Sequence, residues 1–69
     1  MAMVKIFDSD TEELKQVIVT STTVAIDYIK KVIFIHNECS IAFDTCKQIE
    51  TANIPLFYIY NKDEIRRID

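Results

Sequence analysis

Short apolar runs separated by polar residues predict three β-strands in this chain. The two main runs are the VIFI of KKVIFIHN (residues 30–37), which Lys and Asn bound, and LFYIY (residues 56–60), and each stays apolar at successive positions. Continuous apolar runs of this length are typical of strands covered on both faces, as in parallel sheets. A third run, MVKIF (residues 3–7), ends at the polar sequence DSD and predicts a short first strand.

Between the two main runs, the sequence predicts a helix that Ser40 caps and that ends near Ala52. Asn53 can stop this helix, because Pro55 disfavours helical geometry at the residue before it. Strand, helix and strand then form a βαβ unit with parallel strands and a right-handed crossover. The residues with helical spacing are Ile41, Cys46 (or Thr45), Ile49 and Ala52.

The segment after the first strand predicts a second helix, from about Asp10 to Val19. Ser9 and Glu12 have the spacing of a capping box, and acidic residues crowd this helix start. Apolar spacing would allow the helix to continue to Lys31, but residues 20–28 are rich in β-branched residues and partly alternate. We favour a break or short strand there, and helix or strand over residues 20–31 stays open.

The last segment, NKDEIRRID (residues 61–69), allows either a hairpin or a final helix. A hairpin turn would need positive φ without glycine, which is unfavourable. A helix would have Asp63 and Glu64 in its first turn and Arg66 and Arg67 near its end, which suits the helix dipole. We therefore predict a helix.

These elements predict an α/β fold in one domain spanning residues 1–69. The expected architecture is a small two- or three-layer sandwich with three to four mostly parallel strands and two to three helices. A chain of 69 residues buries only roughly 60% of its unfolded surface. Its stability is then marginal, so we expect a protein partner or self-association.

Composition narrows the function classes. Hydrophobic residues make up 49% of the chain and charged residues 28%, which indicates a folded protein. The net charge of -3 and scattered basic residues argue against a generic phosphate-binding surface. No secretory signal or apolar run of ~20 residues is visible, so the sequence predicts a soluble, cytoplasmic protein without membrane contact.

Few residues suit catalysis or metal binding. His36, Glu38, Cys39 and Cys46 follow a predicted strand end, where sites of α/β sheets usually lie. Zinc would require paired ligands such as C-x2-C, and Cys39 and Cys46 on one helix would be about 10 Å apart along the axis, too far for a disulfide. We expect no metal, no cofactor, no small-molecule substrate and no enzymatic activity. A Cys39 nucleophile with His36 as its base is the alternative.

Aromatic residues could stack nucleic-acid bases only if they were exposed beside basic groups. Most of them fall on strand or helix faces that are otherwise apolar, which predicts core positions. Tyr60 is the exception, because it stands beside Asn61 and Lys62 near a strand end.

Two segments, KKVIFIHNECS and IETANIPLFYIYNKDEI, are together similar to the centre of the kink-turn-binding ribosomal protein superfamily. A buried strand, a polar turn and a helix are followed by Ile54-Pro55, which opens a strand, and by the Lys62–Ile65 helix start. The resemblance implies an α/β fold and RNA binding. The glycine-containing RNA-contacting segment of that family has no match near residues 19–25.

The same tail also resembles the C-terminal part of thioredoxin-like proteins, in which proline opens a strand and a hairpin returns as EIRRI. In that case VKIFDSDTEELKQVI is the opening strand and helix. The paired active-site cysteines of thioredoxin-like proteins are missing, which implies that redox activity is lost.

The leading hypothesis is a small non-enzymatic binding module associated with a ribonucleoprotein or ribosome-like assembly. Alternatives are a protein–protein regulator or inhibitor of a viral or mobile-element type, and a degenerate thioredoxin-like protein. RNA is a candidate ligand beside a protein partner. The residues expected to contact RNA or a partner are Lys30, Lys31, Asn37, Glu38, Tyr60, Asn61 and Lys62.

Overall fold

Every regular element in the structure, a computed structural model, is a β-strand. The structure describes residues 1–35, 39–49 and 53–62. Within these ranges, no helix is long and apolar enough to cross a membrane. The strands are β1 (Ala2–Asp8), β2 (Leu14–Thr20), β3 (Val24–Asp27), β4 (Val32–Ile35), β5 (Cys39–Ala42), β6 (Thr45–Ile49) and β7 (Leu56–Asn61).

The strands form a four-stranded sheet in the order β2-β1-β7-β6 and a three-stranded sheet in the order β3-β4-β5. Strands β1 and β7 pair in parallel, with Met3 beside Leu56 and Phe7 beside Tyr60. The other pairings among the described strands are antiparallel. The first strand and the last described strand therefore form the centre of the larger sheet.

One hydrophobic core lies between the two sheets. Alternate residues of β1 and β7 are buried, as expected when one face of a sheet packs on a second sheet. The smaller sheet contributes residues of β4 and β5 and the phenylalanine that follows β5. The buried members of this core are Ala2, Val4, Ile6, Ile33, Ile35, Ile41, Phe43, Phe57 and Ile59.

Aspartate closes two hairpins of this glycine-free chain in the same way. Asp8 Oδ1 accepts hydrogen bonds from the backbone N–H groups of Asp10 and Thr11, at 2.8 and 2.9 Å. Four residues after Asp8, Glu12 has a φ of 62°. These contacts satisfy the backbone of a tight turn at the cost of left-handed geometry at a non-glycine residue.

The β3–β4 turn repeats this arrangement. Asp27 Oδ1 accepts from the backbone N–H groups of Ile29 and Lys30, at 3.0 and 2.9 Å. Lys31, again four residues later, has a φ of 57°. The sequence of the two turns differs, but the aspartate and the position of the left-handed residue are shared.

The predicted α/β fold is wrong, because the described residues contain strands and no helix. The predicted helix from Asp10 to Val19 is a turn followed by β2. A carboxylate that accepts two amide hydrogen bonds caps a helix in many proteins, and here the same bonds close a hairpin. For residues 20–31, which stayed open, the outcome is the strand β3 and a turn.

The predicted βαβ unit is also wrong. Its helix from Ser40 to Ala52 is replaced by β5 and β6, which enter different sheets; residues 50–52 lie outside the described ranges. The helical spacing omitted Phe43, which is buried two residues after Ile41 in the alternation of a strand. Among the described strands, β1 and β7 alone are parallel, so the expected mostly parallel sheet is wrong as well.

The strands predicted at residues 3–7 and 56–60 and within residues 30–37 are confirmed as β1, β7 and β4. Asn61 ends β7, and the rest of the predicted final helix, from residue 63, lies outside the described residues. Cys39 and Cys46 do not share a helix; they lie in β5 and β6, and both are free thiols.

Replacing Lys31 by glycine should stabilise the protein. The left-handed φ costs an L-residue about 1–2 kcal/mol, and glycine removes that cost while adding about 0.5–1 kcal/mol of unfolded-state entropy. We expect a gain of roughly 0.5–1 kcal/mol in the free energy of unfolding, measured by urea titration. Lys30→Gly is the matched control and should destabilise, because Lys30 has negative φ. Equal destabilisation by both variants would contradict the turn geometry.

Stability should fall in acid partly through Asp8. Hydrogen bonds from the Thr11 and Asp10 amides lower the pKa of its carboxyl below 3.8. A lowered folded-state pKa stabilises the protein above the unfolded-state pKa of about 3.9, and that contribution is lost as the pH falls through the folded-state value. Asp8→Asn should therefore flatten the decline in thermal stability as the pH falls below the unfolded-state pKa of about 3.9. Asp10→Asn, in the same turn, is the matched control; an unchanged slope in Asp8→Asn would refute the assignment.

Candidate nucleic-acid interface

The far side of the four-stranded sheet is a second face that no described residue covers, here called the outer face. It consists of the residues that alternate with the core positions of β1 and β7, together with their register partners on β2 and β6. No carboxylate belongs to this set. Its members are Met3, Lys5, Phe7, Leu14, Val17, Val19, Thr45, Lys47, Ile49, Leu56, Tyr58 and Tyr60.

The described part of the chain leaves the outer face open to solvent. On β2, Leu14 is 52% and Val19 55% exposed, and Ile49 on β6 is 36% exposed. Exposed apolar groups gathered on one face usually mark a binding surface, whereas isolated ones are normal. The outer face is therefore the first candidate for a functional site.

Three aromatic rings lie together on the two central strands of the outer face. The Phe7 ring centroid is 5.2 Å from that of Tyr60, with the rings nearly parallel at 22°. It is 5.0 Å from that of Tyr58, with a tilt of 53°. The parallel pairing of β1 and β7 fixes this arrangement, because it places Phe7 beside Tyr60 in register. All three residues are only half-buried.

Lysines flank the aromatic rings on both sides. Lys5 Nζ lies 5.7 Å from the centroid of the Tyr58 ring, and Lys47 Nζ lies 5.8 Å from that of Tyr60. Such cation–π contacts contribute about 0.5–1 kcal/mol at exposed sites. They hold the ammonium groups over the faces of the two tyrosine rings, with N–H donors left for an anion.

A shallow cavity of about 180 Å³ opens at one end of the outer face, beside Tyr60. It is smaller than the ~300–1,000 Å³ of typical small-molecule pockets, so it suits one flat group rather than a whole ligand. Within the described residues, neither Glu12 nor Lys47 forms an ion pair, although both line this cavity. Its lining residues are Ser9, Glu12, Thr45, Lys47 and Tyr60.

Polar contacts of Asn61, which is buried, and of Asp44, which is exposed, hold the end of β7 that carries Tyr60. Asn61 is 2% exposed, and its Nδ2 donates to the backbone oxygen of Ala42 at 2.7 Å. Asp44 Oδ2 accepts from the backbone N–H of Lys62 at 2.8 Å and from Ser9 Oγ at 3.1 Å. These contacts join Ala42, the last residue of β5, and Asp44, which lies between β5 and β6, to the end of β7 and to Ser9 at the rim of the cavity.

The residues predicted to bind RNA or a partner do not form one site. Tyr60 is on the outer face, while Asn61 is buried and structural. Lys62 is exposed directly after β7. Lys30 and Lys31 are exposed in the β3–β4 turn of the other sheet. The two remaining candidates, Asn37 and Glu38, lie outside the described residues.

Sequence reasoning missed Phe7, Tyr58, Lys5 and Lys47 as site residues and expected the aromatic ones in the core. A usable signal was present in β1, where Lys5 stands between Met3 and Phe7 on alternate positions and marks their face as uncovered. The run LFYIY contains no charged residue that would mark one of its faces as uncovered.

The cysteines do not form a catalytic site in the described structure. Cys39 and Cys46 are half-buried and pack against the core. Burial raises the pKa of the Cys46 thiol, and a hydrogen bond with Tyr28 opposes this rise. The predicted partner of Cys39, His36, lies outside the described residues, as does Glu38; elsewhere, no group of three or more His, Cys, Asp or Glu residues could hold a metal ion.

Comparisons with known protein families, curated proteins and solved structures give no match for this chain. The α/β fold that both resemblances imply is overturned by the strands described above, whereas membership of either family stays a prediction. Function is therefore argued from the outer face itself.

The Cys46 thiol should react slowly with iodoacetamide at neutral pH. In a Cys39→Ser background, the rate should rise with a midpoint above the free-thiol pKa of about 8.5, because the half-buried thiolate is poorly solvated. Tyr28→Phe should move this midpoint higher, since Tyr28 donates to the thiolate. Tyr58→Phe, on the opposite face of the sheet, is the control and should leave the midpoint in place. A lower midpoint in Tyr28→Phe would exclude the hydrogen bond.

Proposed function

We propose that this chain is a small non-enzymatic binding module whose outer face binds single-stranded nucleic acid, RNA in a ribonucleoprotein being the expected source. The observation that carries the proposal is the group of three half-buried aromatic rings and two lysines on a sheet face that no described residue covers. Sheet faces with this composition bind single strands by stacking bases on the rings while lysines contact the phosphates.

The charges on the outer face favour an anionic ligand over a second copy of this chain. The face carries Lys5 near its centre and Lys47 on an edge strand, and no carboxylate stands at any of its register positions. If two copies packed face to face, their ammonium groups would be desolvated together without counter-charges, which is unfavourable. A phosphate backbone supplies those counter-charges.

The net charge of -3 sets a limit on affinity. Long-range attraction to nucleic acid is weak in an acidic protein, so binding depends on short-range stacking and a few phosphate contacts. Each stacked base contributes about 1–3 kcal/mol. We therefore expect modest affinity and a shallow dependence on salt, as befits a module that acts beside other RNA-binding components.

Truncating Tyr58 should weaken binding of a fluorescein-labelled oligouridylate, measured by fluorescence anisotropy at low salt. We expect Tyr58→Ala to raise Kd roughly 5- to 150-fold, the factor that corresponds to about 1–3 kcal/mol of stacking. Phe34→Ala is the matched control, because Phe34 is an aromatic residue exposed on the smaller sheet. Its Kd should equal that of the unchanged protein.

Further arms of the same titration separate the competing interpretations. Lys5→Ala should reduce the slope of log K against log salt by about 0.7, the value for one phosphate contact on a single strand. Comparing the Kd of oligouridylate with that of oligothymidylate tests whether the ribose 2′-OH contributes to binding. A blunt duplex should bind less tightly than either single strand. Equal loss in Phe34→Ala, or no binding by any strand, would refute the proposal. A Tyr58→Ala change in sedimentation alone would instead identify a protein interface.

A further inference from the structure

The cavity beside Tyr60 differs in chemistry from the rest of the outer face. The outer face is mostly apolar and aromatic, with two lysines and one threonine, whereas the cavity adds the Glu12 carboxylate and the Ser9 hydroxyl group beside the Tyr60 ring. Two of its residues, Ser9 and Glu12, come from the β1–β2 turn rather than from the sheet. It can therefore discriminate among ligands that the flat face would bind alike.

The hairpin turn holds Glu12 at this position. The backbone N–H of Glu12 donates to the Asp8 carbonyl at 2.8 Å, and its φ of 62° directs the chain into β2. Ser9 is tied to the end of β7 through its N–H bond to the Asn61 carbonyl at 3.1 Å. The backbone of the turn is thus hydrogen-bonded to the strand that carries Tyr60, which keeps residue 12 at the rim of the cavity.

Glu12 and Lys47 line the same cavity and do not pair with each other in the described structure. A carboxylate and an ammonium that remain apart across a cavity leave room for a group that offers donors to one and an acceptor to the other. Lys47 Nζ lies over the Tyr60 ring, so a base that stacks on Tyr60 takes the place of this ammonium and presents its hydrogen-bonding edge to both charged groups.

We propose that this cavity recognises the Watson–Crick edge of a guanine stacked on Tyr60, an inference that rests on the proposed function. Guanine offers N1–H and N2–H as adjacent donors, which match the two oxygens of the Glu12 carboxylate, and O6 as an acceptor for the Lys47 ammonium. Bidentate hydrogen bonds to a carboxylate are among the strongest polar contacts in proteins. Uracil offers one donor on this edge, and adenine and cytosine offer an amino group beside an acceptor that would face the carboxylate.

Labelled oligouridylates that differ at one central position test this assignment by anisotropy. A strand with one guanosine should bind about 5- to 20-fold more tightly than the all-uridine strand, the lower part of the range for one base-reading pair of about 1–3 kcal/mol. Strands with one adenosine or cytidine should show little gain. A strand with one inosine, which lacks the 2-amino group, should lie between guanosine and uridine.

Glu12→Gln should reduce the ratio of guanosine to uridine affinity to about one, because the amide NH2 group, a donor, would then face one of the two guanine donors. Glu13→Gln, at the next exposed position of the same turn, is the matched control and should keep the ratio. The inosine series needs no change to the protein, so it stays decisive if Glu12→Gln does not fold.

The outcomes separate the two proposals. If all strands bind equally and Tyr58→Ala still weakens them, the outer face binds nucleic acid and guanine recognition is refuted. A preference for guanosine that survives in Glu12→Gln would likewise refute the role of the cavity. Absence of binding by every strand would overturn the proposed function and guanine recognition together.

Discussion

The parallel pairing of β1 with β7 is the contact on which the rest of the structure depends. These two strands come from opposite ends of the described chain, yet they lie side by side at the centre of the larger sheet. Their inner residues, among them the fully buried Ile6 and Ile59, provide the larger sheet's half of the core. Bringing two distant strands together costs loop-closure entropy before their contacts can compensate for that cost. We therefore expect the pairing to form cooperatively with the core.

The same pairing builds the candidate site. Because side chains alternate along a strand, the register that buries Ile6 against the core also places Phe7 beside Tyr60 on the outer face. A slip of one residue would move Lys5 into the core and the isoleucines into solvent, which the buried face forbids. One strand register therefore determines both the core and the candidate site, which lie on opposite faces of the same sheet. No strand or loop outside this pairing is needed to bring the aromatic rings together.

The sequence allowed the apolar strands to be predicted, since MVKIF and LFYIY lack any competing periodicity. The prediction was wrong where helix starts and hairpin turns use the same local hydrogen bonds. Asp8 and Asp27 accept paired amide hydrogen bonds as helix caps do, and without glycine nothing marked these segments as hairpin turns. The site was only partly predictable for a similar reason. Tyr60 was singled out, but Tyr58 was expected in the core, because a run apolar on both faces does not reveal whether its second face is covered.

The acidic character of the chain bears differently on its fold and on its proposed function. The net charge sums all charged groups of the protein, whereas a bound ligand interacts mainly with the charged groups near its binding site. The acidic residues of the β1–β2 turn, residues 8–13, gather at one end of the sheet, while Lys5 and Lys47 occupy a face without carboxylates. A negative turn beside a positive aromatic face repels phosphates from one side of the cavity. A strand would thus be held on the rings in a defined position, with the base edge, not the backbone, turned toward Glu12. If the outer face binds a single strand as proposed, the acidic turn would lower its affinity and raise its selectivity.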